Sequence, residues 1–253
     1  MKPLPPRLPS AAARWAFRIG LFAPFFAITI VIANHLEMID LQGFLLLFWF
    51  VFGVALFALF LVLVAFNSLW SRGKKGGRLA SWGLFFSMLV LLPYILMGAS
   101  YFSLPKQADV STDLIVPPVF LSELREIDGD ARAIVAARLF DGYTDMEGRR
   151  FRADMASVIE QLNTIKAVNG LTETQRRGRV GANDEISVEY AWRTPVMKIP
   201  HALIIRLTDE GDTTFVDIRS RALIGDHDLG RNAAKVRSIQ ADMDAALIGV
   251  VGQ

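Results

Sequence analysis

The sequence predicts an α+β protein in two unlike parts: three N-terminal transmembrane helices followed by a compact antiparallel sheet with flanking helices. Three observations carry that prediction. Three long stretches without a charged residue lie before residue 103, and none of comparable length follows. Between residues 185 and 221 apolar and polar residues alternate with a period of two, the signature of strands. On either side of that region apolar residues recur at spacings of three and four, the signature of helices.

The charge-free stretches are Ile19 to Asn34, Leu41 to Phe66 and Leu79 to Phe102. The last two exceed the roughly 20 residues that cross a bilayer core. The first is shorter, but Trp15 to Arg18 extends it, because an arginine near a helix end sends its guanidinium to the headgroups. A buried helix of a soluble protein is rarely apolar on every face over such a length. No small-residue cleavage pattern follows the first stretch, so it does not read as a cleaved signal peptide. His35 reads as an interfacial polar residue and Pro93 as a kink, and neither supports a transporter, because the spans lack buried ionisable groups.

Basic residues set the orientation. Lys2, Arg7, Arg14 and Arg18 precede span one, and Arg72, Lys74, Lys75 and Arg78 lie between spans two and three, whereas the loop NHLEMIDLQ has neither Lys nor Arg. The N-terminus is therefore expected in the cytoplasm and everything after Phe102 across the membrane, in a bacterium the periplasmic side of the inner membrane. The lipid bilayer is the first expected partner. The sequence pI near 9.0 suggests nucleic acid until the charges are divided. Eight of the 27 basic and two of the 25 acidic residues precede residue 103, leaving 19 basic against 23 acidic beyond it. With no nucleic-acid motif either, no nucleic-acid partner is expected. The absence of cysteine removes disulfides and thiolate chemistry.

The expected organisation is a membrane anchor over 1–102, an extended linker over 103–129 and an α+β extracytoplasmic domain over 130–253. The stretch SLPKQADVSTDLIVPPVF has three prolines and little periodicity, so it should lie along the domain without joining a sheet centre. Residues 130–140 suggest a short helix. A second helix is expected from Phe151 to Ile165, striped by Met155, Val158, Ile159, Leu162 and Ile165 and ended by Asn169 and Gly170. A strand follows near Leu171 to Arg177. In EISVEYAWRTP, Ile186, Val188, Tyr190 and Trp192 alternate with Glu185, Ser187, Glu189 and Arg193, giving a half-buried strand. Strands His201 to Thr208 and Thr213 to Arg221 are joined by the turn DEGD. A last helix runs from about Leu229 to Ile248, striped by Ala233, Val236, Ile239, Met243 and Leu247.

The densest cluster of polar side chains is RSRALIGDHDLGRN, residues 219 to 232. On its strand Val216, Ile218 and Ser220 share one face, and Phe215, Asp217, Arg219 and Arg221 share the other. That charged face reads as a solvated sheet surface with cross-strand ion pairs. The alternative is a cationic surface, Arg219 and Arg221 with Arg193 or Glu189, that takes phosphate or carboxylate in the guanidinium fork. Asp228 is placed to cap the first turn of the last helix, with Asp226 competing. Asp226, His227 and Asp228 offer metal ligands, but adjacent side chains diverge and no second ligand cluster appears, so neither metal nor cofactor is expected. His227 lacks an identifiable nucleophile to activate.

The motif, with the upstream segments DVSTDLIVPP and YTDM, resembles an uncharacterised bacterial family catalogued as domain of unknown function 1499. Its signature resembles R-S-x-S-R-x-G-x-S-D-L-G-x-N, and the likeness covers roughly residues 109 to 248. The spacing here differs, and His227 stands where a serine is usual. The resemblance implies a short α+β domain, alone or after membrane spans, and supplies no activity to carry over.

The expected function is that of an integral inner-membrane protein presenting a non-enzymatic α+β domain outside the cytoplasm, for binding an envelope protein or anionic ligand or for envelope assembly. The alternative is a membrane-surface hydrolase in which Arg219 and Arg221 orient an anionic group. An enzyme needs a water-excluding pocket with a nucleophile or metal beside those arginines, and a binding module needs only an exposed patch.

Overall fold

The computed structural model describes residues 8–122, 142–143 and 146–248. The helix expected over residues 130–140 lies outside them. The chain divides into two units, Met1–Ala99 with Val196–Lys198 and Ser100–Pro195 with Ile199–Gln253.

Three helices account for the first part of the chain: α1 (Ala11–His35), α2 (Leu41–Arg72) and α3 (Gly77–Ser103). Each is long and apolar enough to cross a membrane. Their ends follow local chemistry. Ser10 and Asp40 accept hydrogen bonds from the backbone amides of Ala13 and Gly43, and Gly73 closes α2 in the left-handed conformation at φ 61°. Large apolar side chains such as Phe22, Phe25, Leu46, Phe57 and Leu89 face outward. Small residues face inward. A Cβ added to Gly20 would lie 2.9 Å from the Gly83 carbonyl oxygen, and one added to Gly83 would lie 2.8 Å from Ala16, so α1 and α3 touch backbone to backbone.

In the second unit six strands form one antiparallel sheet: β1 (Asp109–Ser111), β2 (Arg149–Phe151), β3 (Thr172–Arg177), β4 (Glu185–Arg193), β5 (Pro200–Asp209) and β6 (Thr214–Ala222). The order is β1-β6-β5-β4-β3, and β2 pairs with the same edge of β6 as β1. Short β1 covers Arg219 to Arg221, and short β2 covers Thr214 to Val216. Asp109–Ser111, inside the stretch expected to be an extended connection, is thus an edge strand. The DEGD turn forms as expected, with Gly211 at φ 88°.

Among the described residues of this unit, two helices, α4 (Met155–Val168) and α5 (Arg231–Ile248), flank the sheet. Their predicted stripes, Met155 to Ile165 and Ala233 to Leu247, join Ile186, Val188, Tyr190, Leu203, Ile205, Leu207, Val216 and Ile218 in one core on one face of the sheet. Both helices start later than their periodicity suggests. Asp154 caps α4 through the Ser157 amide at 3.0 Å, and Phe151 instead ends β2 opposite Thr214. Leu229, with φ 55°, cannot be helical, so α5 waits until Arg231.

Candidate functional site

The opposite face of the sheet departs most from expectation. It carries Ser187, Glu189, Ala202, Ile204, Arg206, Asp217, Arg219 and Arg221, and it is not solvated. Glu189, Asp217 and Arg219 are all buried. The chain from Thr112 to Ser122 crosses this face as a strap. Phe120 at its centre is fully buried against Ala202 and Ile204.

Charges hold the strap. The Arg219 guanidinium donates to both carboxylate oxygens of Asp109, at 3.0 and 2.6 Å, and through its remaining nitrogen to the Pro118 carbonyl at 2.9 Å. Arg206 donates from one nitrogen to Asp113 at 2.8 Å and to Asp217 at 2.7 Å. Thr112 donates its hydroxyl proton to Asp217 at 3.3 Å and accepts the Ile218 amide at 2.9 Å. Glu189 accepts the backbone amides of Leu121 and Ser122 at 2.7 and 3.3 Å. Burial holds the Asp217 carboxyl above its ordinary range, with Arg206 opposing.

These contacts correct the reading of a solvated arginine face. Arg219 is 2% exposed, and its bidentate fork is closed on a carboxylate of the same chain. Arg221 is partly buried and stacks 4.3 Å over the Phe120 ring. Arg193 is exposed at the end of β4 opposite Pro200, two strands or roughly 10 Å from Arg221. Of the three arginines expected to meet an anion, Arg219 is thus closed on Asp109 and Pro118. Among the described residues, no group of three or more histidine or carboxylate side chains is arranged to hold a metal ion.

The rest of the motif is knitted into the helix-covered face. Asn232, fully buried on α5, donates its amide to the Ala108 carbonyl at 2.9 Å, which fixes its oxygen as an acceptor. That oxygen receives the Ser220 hydroxyl and the His201 Nδ1–H, each at 2.8 Å. Ser220 in turn accepts the Trp192 indole N–H at 3.2 Å, and the Trp192 and His201 rings stack at 4.1 Å. One asparagine thus joins β5, β6, α5 and the residue before β1. Burial holds the His201 imidazole below its ordinary value, against the opposing Asn232 hydrogen bond.

Asp228 accepts the amides of Gly230, at 2.9 Å, and of Asn232, so it satisfies a first-turn donor of α5 from two residues farther out than a standard cap. Asp226 is exposed. His227 accepts the Leu229 amide at Nδ1, 3.0 Å, and its Nε2 therefore donates to the Tyr101 carbonyl at 3.1 Å. Both ring nitrogens are in structural use, which leaves neither to act as a base.

Sequence reasoning missed the strap and the asparagine node. One signal was present. Ala202 to Ile205 is a continuous apolar run, and a strand apolar at successive positions is buried on both faces. That run pointed to a sheet face covered by another part of the chain.

Comparison with known proteins adds one finding. Neither the curated proteins nor the solved structures hold a match to this chain. A family model does match, from Asp109, the carboxylate paired with Arg219, to Met243 in the core stripe of α5, and so takes in strap, sheet and both helices. By that match over residues 109–243 the chain belongs to the family described as "Protein of unknown function (DUF1499)".

Proposed function

We propose that the protein is a membrane-tethered binding module of the bacterial inner membrane, with a cytoplasmic N-terminus and a non-enzymatic α+β domain on the periplasmic side, where it engages an envelope protein. One observation carries the non-enzymatic part. The motif's most reactive-looking side chains, Arg219, Ser220, His227, Asp228 and Asn232, hydrogen-bond within the fold and bind strap, sheet and α5 together. The hydrolase alternative needs Arg219 to orient an anionic group, a task for which its donors are already engaged by Asp109 and Pro118. The basic residues around Arg14 and Lys75 support the orientation.

A protein partner is favoured by the strap itself. The Asp113 carboxylate accepts the amides of both Ile115 and Val116 at 2.9 Å, which presents two apolar side chains, 81% and 61% exposed, on a preordered turn. The test joins topology to phenotype. A reporter active only after export, fused after Gln253, should give signal. A deletion strain should be complemented by Arg193→Gln and not by the double variant Ile115→Ser, Val116→Ser. A cytoplasmic C-terminus, or full complementation by the strap variant, overturns the reading.

A further inference from the structure

We propose that α1 and α3 form a binding site for an anionic glycerophospholipid, with the phosphate on Arg78 and an acyl chain lying in the groove below it. The groove, about 490 Å³, is lined by Phe17 and Leu21 of α1 and by Arg78, Leu79, Trp82 and Phe86 of α3. Its construction follows from the helix crossing. Because Gly20, Gly83 and Ala16 let the two backbones touch, the bulky neighbours are displaced to the side and become walls. The Phe17 and Phe86 rings lie 6.5 Å apart, and Trp82 stacks on Phe86 at 5.7 Å.

The lining is polar at one end only. Arg78 and Phe86 are eight residues apart on α3, roughly 12 Å along the axis, and everything past Arg78 is apolar. A cation above a 12 Å apolar trough has the amphipathic order of a phospholipid, headgroup phosphate first and acyl chain after. The three-helix anchor carries no acid beside Arg78. Glu37 and Asp40 are the only acids before residue 103, and both lie between α1 and α2, at the end of the helices away from the α2–α3 turn that Arg78 follows. At the interface of a bilayer the available anion is the lipid phosphate, which a guanidinium takes in its fork.

Charge also selects the headgroup. Arg72, Lys74 and Lys75 precede Arg78 in the α2–α3 turn, and Arg14 and Arg18 occupy the first two turns of α1. This surroundings of cations disfavours a headgroup that carries its own ammonium and favours one with net negative charge, such as phosphatidylglycerol.

The inference rests on the membrane reading of α1–α3, and the test separates the two. The full chain is reconstituted in vesicles of phosphatidylcholine and phosphatidylglycerol in which one or the other lipid carries brominated chains. The quenching lost in Trp82→Phe is the share that belongs to Trp82. Wild type should show about a fivefold preference for phosphatidylglycerol at Trp82, the size expected of one basic residue at an anionic surface. Arg78→Gln should remove it, Arg78→Lys should keep part of it, and Arg72→Gln, outside the groove, should reduce it far less than Arg78→Gln does. Equal loss in the Arg78 and Arg72 variants, or no preference in wild type, overturns the site. Quenching of Trp82 by brominated phosphatidylcholine alone shows that each variant is inserted and folded. Its absence from wild type would overturn the membrane reading and the site with it.

Discussion

The two faces of the sheet are closed by different physics. Helices α4 and α5 cover one face with interdigitating apolar side chains, and a proline-containing strap covers the other through arginine–carboxylate pairs around a single buried ring, Phe120. Apolar burial has no directional demand, so near-equivalent side chains substitute for one another at modest cost. Buried charges tolerate little. Removal of one member strands its partner in a medium that cannot solvate it. The strap face is therefore the more brittle, and it carries Arg219 and Arg221 of the motif.

The largest effect should come from Arg206→Gln, which leaves Asp113 and buried Asp217 together without a cation. We expect a loss of about 3–5 kcal/mol at neutral pH. Acid should repair part of it. The folded-state value of Asp217 is raised, so the penalty is present above that value and recedes as pH falls toward the unfolded value near 4. Val236→Ala, in the core on the other face, should cost about 1.5–3 kcal/mol with no such acid repair. Denaturant unfolding at pH 7 and pH 5 distinguishes the two. Equal pH response in both variants would mean that the strap face is not held by charge.

A smaller effect is expected at the helix start. Asp228→Ala should cost about 0.5–2 kcal/mol, and Asp228→Asn, which keeps one acceptor oxygen, much less. A shift in thermal midpoint that is the same for both would tie the residue to its charge instead. The smallest effect is a slope. The folded His201 value lies below the unfolded one, so the stability that the neutral ring contributes declines as pH falls below about 6.5, where the unfolded chain takes up the proton first. His201→Gln should flatten that slope between pH 7 and pH 5.

The same contrast explains what was legible in the sequence. Spans, strands and both helix stripes follow from periodicity, because apolar burial imprints a spacing. Helix starts shifted by two to four residues, since Asp154 and the left-handed Leu229 act locally and break no pattern. The strap left no periodic trace. Residues 112–122 contribute single side chains and backbone groups to pairings about 100 residues distant, and nothing in the spacing of Asp109 or Asp113 names Arg219 or Arg206 as a partner. The same distance hid the asparagine node, in which Asn232 meets Ser220 and His201 only after the sheet and α5 have formed.

That the motif is a latch and not a reactive site is tested most directly by a double-mutant cycle on Asp109 and Arg219. Of the five tryptophans, Trp15, Trp49, Trp70 and Trp82 lie in α1–α3, so their replacement by phenylalanine leaves Trp192 to report on the second unit within the full chain. Asp109→Asn, Arg219→Gln and the double variant are unfolded with denaturant in that background. A latch predicts that each single variant is destabilised and that the two are coupled by about 1–3 kcal/mol. Single effects that add to within about 0.5 kcal/mol would show that Asp109 does not latch Arg219, and would return the arginine face to the list of surfaces open to a ligand.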